Sequence, residues 1–445
     1  MRRNPVLPVR FVLLAATALS AASPALAQDV RLDTLERQLT DQQQRIKQLE
    51  ALVAEQAELL RQVRAERATP PVPPAAAPPT ALAAAPAPAP QAVAVATAPA
   101  TTGPFRIPGL DVGGDLRVRE ELNFGDGDAR DRWRSVLRVR IRASYTVAPG
   151  LTIGAQLATG DPDDPNSTDI TLGNFDDDLD ISLDQAWIRY TRGGLTAYAG
   201  KFPQIFQRTD LVWDSDIVPE GVGAIYALDL GSGAKLDARA IYFIIDEAQA
   251  ARDSDMLGGQ LVASLPLSRQ LSLSLAGGYY HYRLDSLGGA DAGDFRSNLI
   301  VGGRYLSDFH LLDGIASLTW RGADPRWPVT LTANYVKNLD AAVAADTGFN
   351  LELAAGRTAQ RGDWRVAYNF SQVGVDAVFA AFTNDNLALA TNYKLHGLDV
   401  GFVPVKDVVL NIVYYHYRPL DALYAGTNQP HDWLDRVRLN FLVNF

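Results

Sequence analysis

From Asp111 onward the sequence is a series of alternating segments, and the gaps between them also alternate, short then long. The short gaps are Ala148-Pro149-Gly150, Arg192-Gly193-Gly194, Gly231-Ser232-Gly233, 266–270, 322–328, 357–363 and 404–407. The long gaps are 124–132, 160–179, 203–223, 246–255, 283–305, 339–347, 374–386 and 418–431. Within segments the period is two: Leu271, Leu273 and Leu275 alternate with Ser272 and Ser274, and Val366, Tyr368 and Phe370 with Arg365, Ala367, Asn369 and Ser371. A period of two means strands with one apolar and one polar face. Tight turns at one end and long loops at the other mean consecutive antiparallel hairpins. Together these predict an all-β, antiparallel transmembrane barrel of about sixteen strands, with short turns on the periplasmic side. The tenth strand is placed at 307–320, after an ambiguous apolar stretch near Leu299. Mean hydropathy is close to neutral at −0.05, as expected when one residue in two meets lipid. Aromatic residues near segment ends, among them Tyr145, Tyr190, Tyr279, Tyr280, Tyr414 and Trp433, suit girdles at the two membrane interfaces.

Three segments precede this domain. Residues 1–27 read as a secretory signal: Arg2, Arg3 and Arg10, an apolar core too short to span a bilayer, then Ala25-Leu26-Ala27. Residues 28–67 carry a heptad pattern. Leu32, Leu39, Ile46, Val53 and Leu60 hold one core position, and Leu35, Gln42, Leu49, Gln56 and Val63 the other. This predicts a periplasmic coiled coil roughly 50 Å long at 1.5 Å per residue. Three strands are expected, although the heptad also permits two. Residues 68–104 are nearly all Ala and Pro, the composition of an extended spacer. Residues 105–445 then form the barrel. The chain has no cysteine, so no disulfide framework accompanies export.

The last segment alternates Val437, Leu439, Phe441, Val443 and Phe445 with Arg436, Arg438, Asn440 and Asn444. It resembles the closing strand of bacterial outer-membrane barrels, and that likeness makes Phe445 the expected assembly signal. The run 195–223 contains Gly200-Lys201, Thr209-Asp210-Leu211-Val212-Trp213-Asp214, Asp216 and Pro219-Glu220-Gly221-Val222. With Gly114-Asp115-Leu116-Arg117-Val118-Arg119, it resembles the proteobacterial putative-porin family. The resemblance implies a passive outer-membrane channel and brings no catalytic residues with it.

Two charge features bear on a channel. Arg117 and Arg119 share one face of their segment, as do Arg138, Arg140 and Arg142, while Arg436 and Arg438 lie on the strand that must close against the first. A lipid-facing Arg at the midplane costs roughly 2–4 kcal/mol, so this basic wall is expected to face the lumen. Arg189 extends it if the phase slip between Leu183 and Ile188 turns it inward. Such arginines either bias permeating ions or balance lumen carboxylates and hold the wall together. Acids crowd two long gaps: Asp161, Asp163, Asp164, Asp169 and 176–178, then Asp210, Asp214, Asp216 and Glu220. The first group is expected to stay in a solvated outer loop. By likeness to sixteen-stranded porins, the second is expected on an inward-folded loop opposing the arginines across a constriction.

Enzymatic motifs are missing. There is no HExxH or GxSxG, and Phe202 after Gly200-Lys201 removes the hydroxyl a P-loop needs. The five histidines lack metal-ligand spacing, and the acidic gap lacks the Gly and terminal Glu of a calcium loop. No enzyme activity, cofactor, metal or nucleic-acid partner is expected. The reading is an outer-membrane porin, trimeric and surrounded by lipid, passing small hydrophilic solutes with a mild preference for anions. The rival is a structural anchor that reaches the cell wall through the coiled coil.

Overall fold

The computed structural model describes residues 107–445 apart from 126–130, 162–163, 174–178, 250–251, 286–295, 323, 325 and 426–431. The signal, heptad and spacer lie outside the described residues. Sixteen long strands make the wall. The first eight are β1 (Leu110–Gly125), β2 (Arg132–Ala148), β3 (Leu151–Thr159), β4 (Ile181–Arg192), β5 (Leu195–Lys201), β6 (Glu220–Gly231), β7 (Ala234–Asp246) and β8 (Ser254–Pro266). The second eight are β9 (Leu271–Leu284), β10 (His310–Trp320), β11 (Val329–Asn338), β12 (Thr347–Gly356), β13 (Trp364–Val373), β14 (Tyr393–Phe402), β15 (Val408–Pro419) and β16 (Leu434–Asn444). Each pairs antiparallel with the next, and β16 returns to β1 with Leu116 opposite Val443 and Glu121 opposite Arg438. The barrel is closed. The expected tenth strand begins at His310, and the ambiguous stretch before it is a small hairpin, Ile300–Val301 with Arg304–Tyr305.

Alternation sorts the side chains as the sequence requires. Val118, Ile141, Leu157, Leu183, Leu261 and Leu331 are exposed on the outside, while Asp115, Arg119, Arg138, Gln260, Asn334 and Arg438 are buried inside. An apolar exterior around a polar interior reverses the usual soluble arrangement and suits a wall bathed in lipid. The phase slip in β4 is a bulge: Gln156 opposes Gln185 and Leu157 opposes Leu183, leaving Asp184 unpaired in the ladder. No helix among the described residues is long and apolar enough to cross a membrane, which says nothing of strands.

The interior is where the fold departs most from expectation. The long gap 374–386, expected as an outer loop, turns inward together with the residues up to 392 and is almost wholly buried, as are Phe202, Ile205, Phe206, Leu211, Val212, Trp213 and Ile217 of the preceding inward segment. Both pack on the inner faces of β7 to β10. Phe382 stacks on Phe243 (5.1 Å, 9°) and on Trp213 (5.9 Å, 21°), and Trp213 meets Tyr280 edge-on at 5.4 Å. Phe379 joins Tyr282 and Phe309 at 5.2 and 5.5 Å. Apolar burial drives this, because those rings would otherwise sit in water. Glycines on the inner face make room: a Cβ at Gly223 would lie 2.8 Å from the Phe202 ring, and one at Gly258 2.9 Å from Phe206.

The seam depends on one such close approach. Gly114 and Phe445 exchange backbone hydrogen bonds of 2.8 and 3.1 Å, and a Cβ on Gly114 would fall 2.4 Å from the Arg140 carbonyl and 2.5 Å from the Phe445 ring. Gly114→Val is therefore expected to cost about 1–3 kcal/mol or more through overpacking at the closing strand. The measurement is the heat-modifiable, folded fraction on cold gels. An unchanged fraction and unfolding midpoint would count against the seam assignment.

Candidate channel interior

The arginines converge on four carboxylates. Period two along β1 puts Asp115, Arg117, Arg119 and Glu121 on one face, and the register brings β2 and β16 alongside. Arg138 and Arg140 each donate to Asp115 at 2.9 Å, and Arg142 lies 3.4 Å from it. Glu121, fully buried, takes Arg438 at 2.7 Å, Arg134 at 2.8 Å and Arg436 at 3.6 Å. Arg117 and Arg119 both donate to Asp169, the latter at 2.8 Å. Arg140 also donates to Asp216 at 2.9 Å, and Arg138 lies 4.0 Å from it. A buried guanidinium needs such partners, since an unpaired buried charge costs several kcal/mol.

Two expectations change here. Asp169 does not belong to a solvated loop: it reaches the arginine face and is largely buried. Burial alone raises its carboxyl, but Arg117, Arg119 and Arg138 outweigh that and leave it below the ordinary range. Asp216 does not oppose the arginines across a gap. It is bonded to them directly, and also accepts from Thr168 at 3.1 Å. Residues 374–392 reach the same face: Arg438 donates to Asn386 Oδ1 at 2.6 Å and Arg436 to the Asn386 carbonyl at 2.7 Å. Three long segments thus dock on one arginine surface. Arg189 stands apart, donating to Thr152 at 3.3 Å and lying over Trp187.

The remaining acids separate. Glu220 opens β6 in an exposed 2.9 Å ion pair with Lys201. Asp210 accepts from Asn386 Nδ2 at 3.1 Å and, with Arg208, lines a cavity of about 370 Å³. The far side of that cavity carries Asn350, Glu352, Asn369 and Asp399 from β12 to β14. Arg365 bridges Glu352 and Asp399 at 2.8 and 2.6 Å. A second cavity, about 480 Å³, lies at the loop end beside Asp164, Asp184, Asp216 and Phe382. Asp214 is buried between the inward segments: it accepts from the Asp216 amide at 2.8 Å, and its own amide donates to the Phe382 carbonyl at 2.8 Å. Burial, then Asp385, Asp210 and Asp216, push its carboxyl well above the ordinary range.

The residues of this face that sequence reasoning missed are Asp115, Glu121, Arg134 and Asn386. For the first two the signal was present, because they share the odd-numbered face with Arg117 and Arg119. No group of three or more potential metal ligands occurs among the described residues. Four of the five histidines form two cross-strand pairs instead, His281 with His310 and His396 with His416.

This is the architecture of a porin-type barrel. The family model described as "Putative porin" matches residues 110–287, the stretch that holds the 195–223 motif. Pseudomonas putida OprB shares the fold at 14% identity, with a TM-score of 0.52 over 76% of this chain and 94% of that one. Salmonella typhi OmpF aligns at 13% identity (TM-score 0.47, 76% and 97% covered), and Rhodopseudomonas blastica porin at 13% (0.43, 76% and 100%). None of the curated proteins matches the sequence. Family match and barrel together support an outer-membrane porin.

The Asp214 carboxyl yields a signed prediction. A raised value means the folded chain holds that proton more tightly than the unfolded chain. Its favourable contribution is complete below the ordinary carboxyl value of about 3.9 and is lost as pH rises through the raised one. The unfolding midpoint is expected to fall over that interval, and Asp214→Asn to flatten the fall. Thermal melts of both proteins from acid to neutral pH measure this, and parallel profiles would remove Asp214 from the account.

Proposed function

We propose that the chain is a passive channel for small hydrophilic solutes with a mild anion preference, assembled as a trimer with residues 28–67 coiled in the periplasm. The observation that carries the selectivity is the charge count on the arginine face. Eight guanidinium groups (Arg117, Arg119, Arg134, Arg138, Arg140, Arg142, Arg436 and Arg438) share four carboxylates, Asp115, Glu121, Asp169 and Asp216. Most of these guanidiniums are sealed in. The Arg142 side chain is 41% exposed, against 26% for Arg134, 8% for Arg138 and 3% for Arg438, so Arg142 is the most open to passing ions. One sign of charge in a narrow, low-dielectric passage concentrates its counter-ion. Asp210, which lines the smaller cavity, pulls the other way and keeps the preference mild.

Phe445 is proposed as the assembly signal, supported by its pairing with Gly114 at the seam. The packed aromatic interior favours a second reading, in which the lumen is closed and the barrel is the membrane root of an anchor. Conductance in planar bilayers separates the two, since a root conducts nothing.

In a salt gradient, Arg142→Glu is expected to move the reversal potential toward cations. The shift should be larger at 0.01 M salt, where the Debye length is about 30 Å, than at 0.1 M, where it is about 10 Å. Unchanged selectivity at both salts would make the arginine face purely structural. For assembly, Ile46→Asp with Val53→Asp is expected to weaken trimers, read as mass in detergent by light scattering. Trimers of undiminished stability would remove the heptad from the account.

A further inference from the structure

Strand residues that face lipid are expected to be uncharged, yet β14 and β15 carry four basic side chains outward near their loop ends. Lys394 is the direct cross-strand partner of Arg418, and His396 of His416. They share their phase with the exposed Leu398, Ile412 and Tyr414, on the outer surface and not the lumen. Like charges directly opposite on neighbouring strands destabilise a sheet unless something lies between them.

Elsewhere on the same rim that role falls to carboxylates. Arg283 pairs with Asp255, Lys337 with Asp346 at 2.9 Å, and His310 with Asp340 at 3.4 Å. Neither Lys394 nor Arg418 has a carboxylate within ion-pair distance among the described residues. Each lies over an aromatic ring instead, Lys394 above Phe370 at 5.8 Å and Arg418 above Trp433 at 5.3 Å. His416 stacks flat on Trp433 (4.0 Å, 7°), and His396 Nδ1 is 2.7 Å from the Tyr368 hydroxyl. The carboxylate of the patch, Asp435, is engaged by His416 at 2.8 Å and the Tyr414 hydroxyl at 2.6 Å.

The chemistry that completes this arrangement is an anion with several oxygens, able to bridge an ammonium and a guanidinium. The position names its source. Tyr368, Tyr414 and Trp433 lie beside the basic pair on the outward face, amphipathic rings of the kind enriched where a wall meets lipid headgroups. The exposed Leu398 and Ile412 follow them down the wall for acyl chains. Cations near a membrane surface attract anionic lipid at about 1 kcal/mol each. We infer that Lys394, Arg418 and His416 bind the phosphate of an outer-leaflet lipid headgroup. The inference rests on the outer-membrane reading with long loops facing outward, but not on conduction.

The test uses the purified full-length protein, exposed to phosphatidylcholine vesicles with or without diphosphoryl lipid A, and native mass spectrometry to count retained lipid. The wild type is expected to retain lipid A over phosphatidylcholine. Lys394→Gln with Arg418→Gln is expected to lose between about fivefold and thirtyfold of that retention, one to two surface cations' worth. Arg283→Gln, a base already paired, is expected to lose none. Unaltered single-channel conductance in the double variant shows that the barrel is folded, and a barrel that never conducts still reports lipid. Equal retention by the double variant overturns the site, as does equal retention of the two lipids by the wild type. Displacement of lipid A by millimolar inorganic phosphate overturns the lipid source in favour of a small free anion.

Discussion

The seam at Glu121 is the interaction on which the rest depends. A sheet in lipid must leave no edge, because an unsatisfied backbone group there costs several kcal/mol, so β16 must find β1. The buried Glu121 carboxylate on β1 takes Arg438 and Arg436 from β16 and Arg134 from β2, tying the last strand to the first two. Removing one partner of such a buried group typically costs about 3–5 kcal/mol. Backbone pairing supplies the adhesion, and these charges supply the register. A slip of one residue at β16 would turn Arg436 and Arg438 to lipid and Leu439 and Phe441 to the lumen.

The same arginines organise the interior. With Asp115 and Glu121 taking only part of their capacity, the guanidiniums have donors to spare, and three long segments use them: Asp169, Asp216 and Asn386. Once docked, these segments bring their apolar residues against β7 to β10, where Trp213 and Phe382 complete a core inside the barrel. The barrel therefore has two apolar surfaces, one outside for lipid and one inside for its own loops. The polar arc at β1, β2 and β16 and the apolar arc at β7 to β10 hold the segments from opposite sides.

What was legible in the sequence follows from where the forces are local. Period two and turn length are properties of neighbouring residues, so strand number, hairpin order and the inward facing of Arg117, Arg138 and Arg438 could be read directly. Even the bulge at Asp184 showed as a phase slip. Residues 374–392 were not legible as an inward segment, because their partners, Trp213, Tyr282 and Arg438, lie far away in the chain. One local hint existed: Val378, Phe379, Ala380, Ala381 and Phe382 are too apolar to sit in an outer aqueous loop. Asp169 looked like its acidic neighbours, and nothing local separates a solvated Asp from one that will meet two arginines.

Burial decides which charges belong to the fold and which to a permeating solute. Arg119, Arg138 and Arg438 are almost sealed, and their fields end largely on the carboxylates they touch, so at ordinary salt they act as fasteners. Arg142 shares Asp115 with Arg138 and Arg140 and is the most solvent-exposed of the group, so its charge is the least neutralised. On the wall of the smaller cavity, Arg365 lies between Glu352 and Asp399 and leaves that group of three net negative by one. The charges left over for a solute are thus Arg142 on the arginine face and the carboxylate surplus beside Arg365, set by the unneutralised groups and not by the full arginine count.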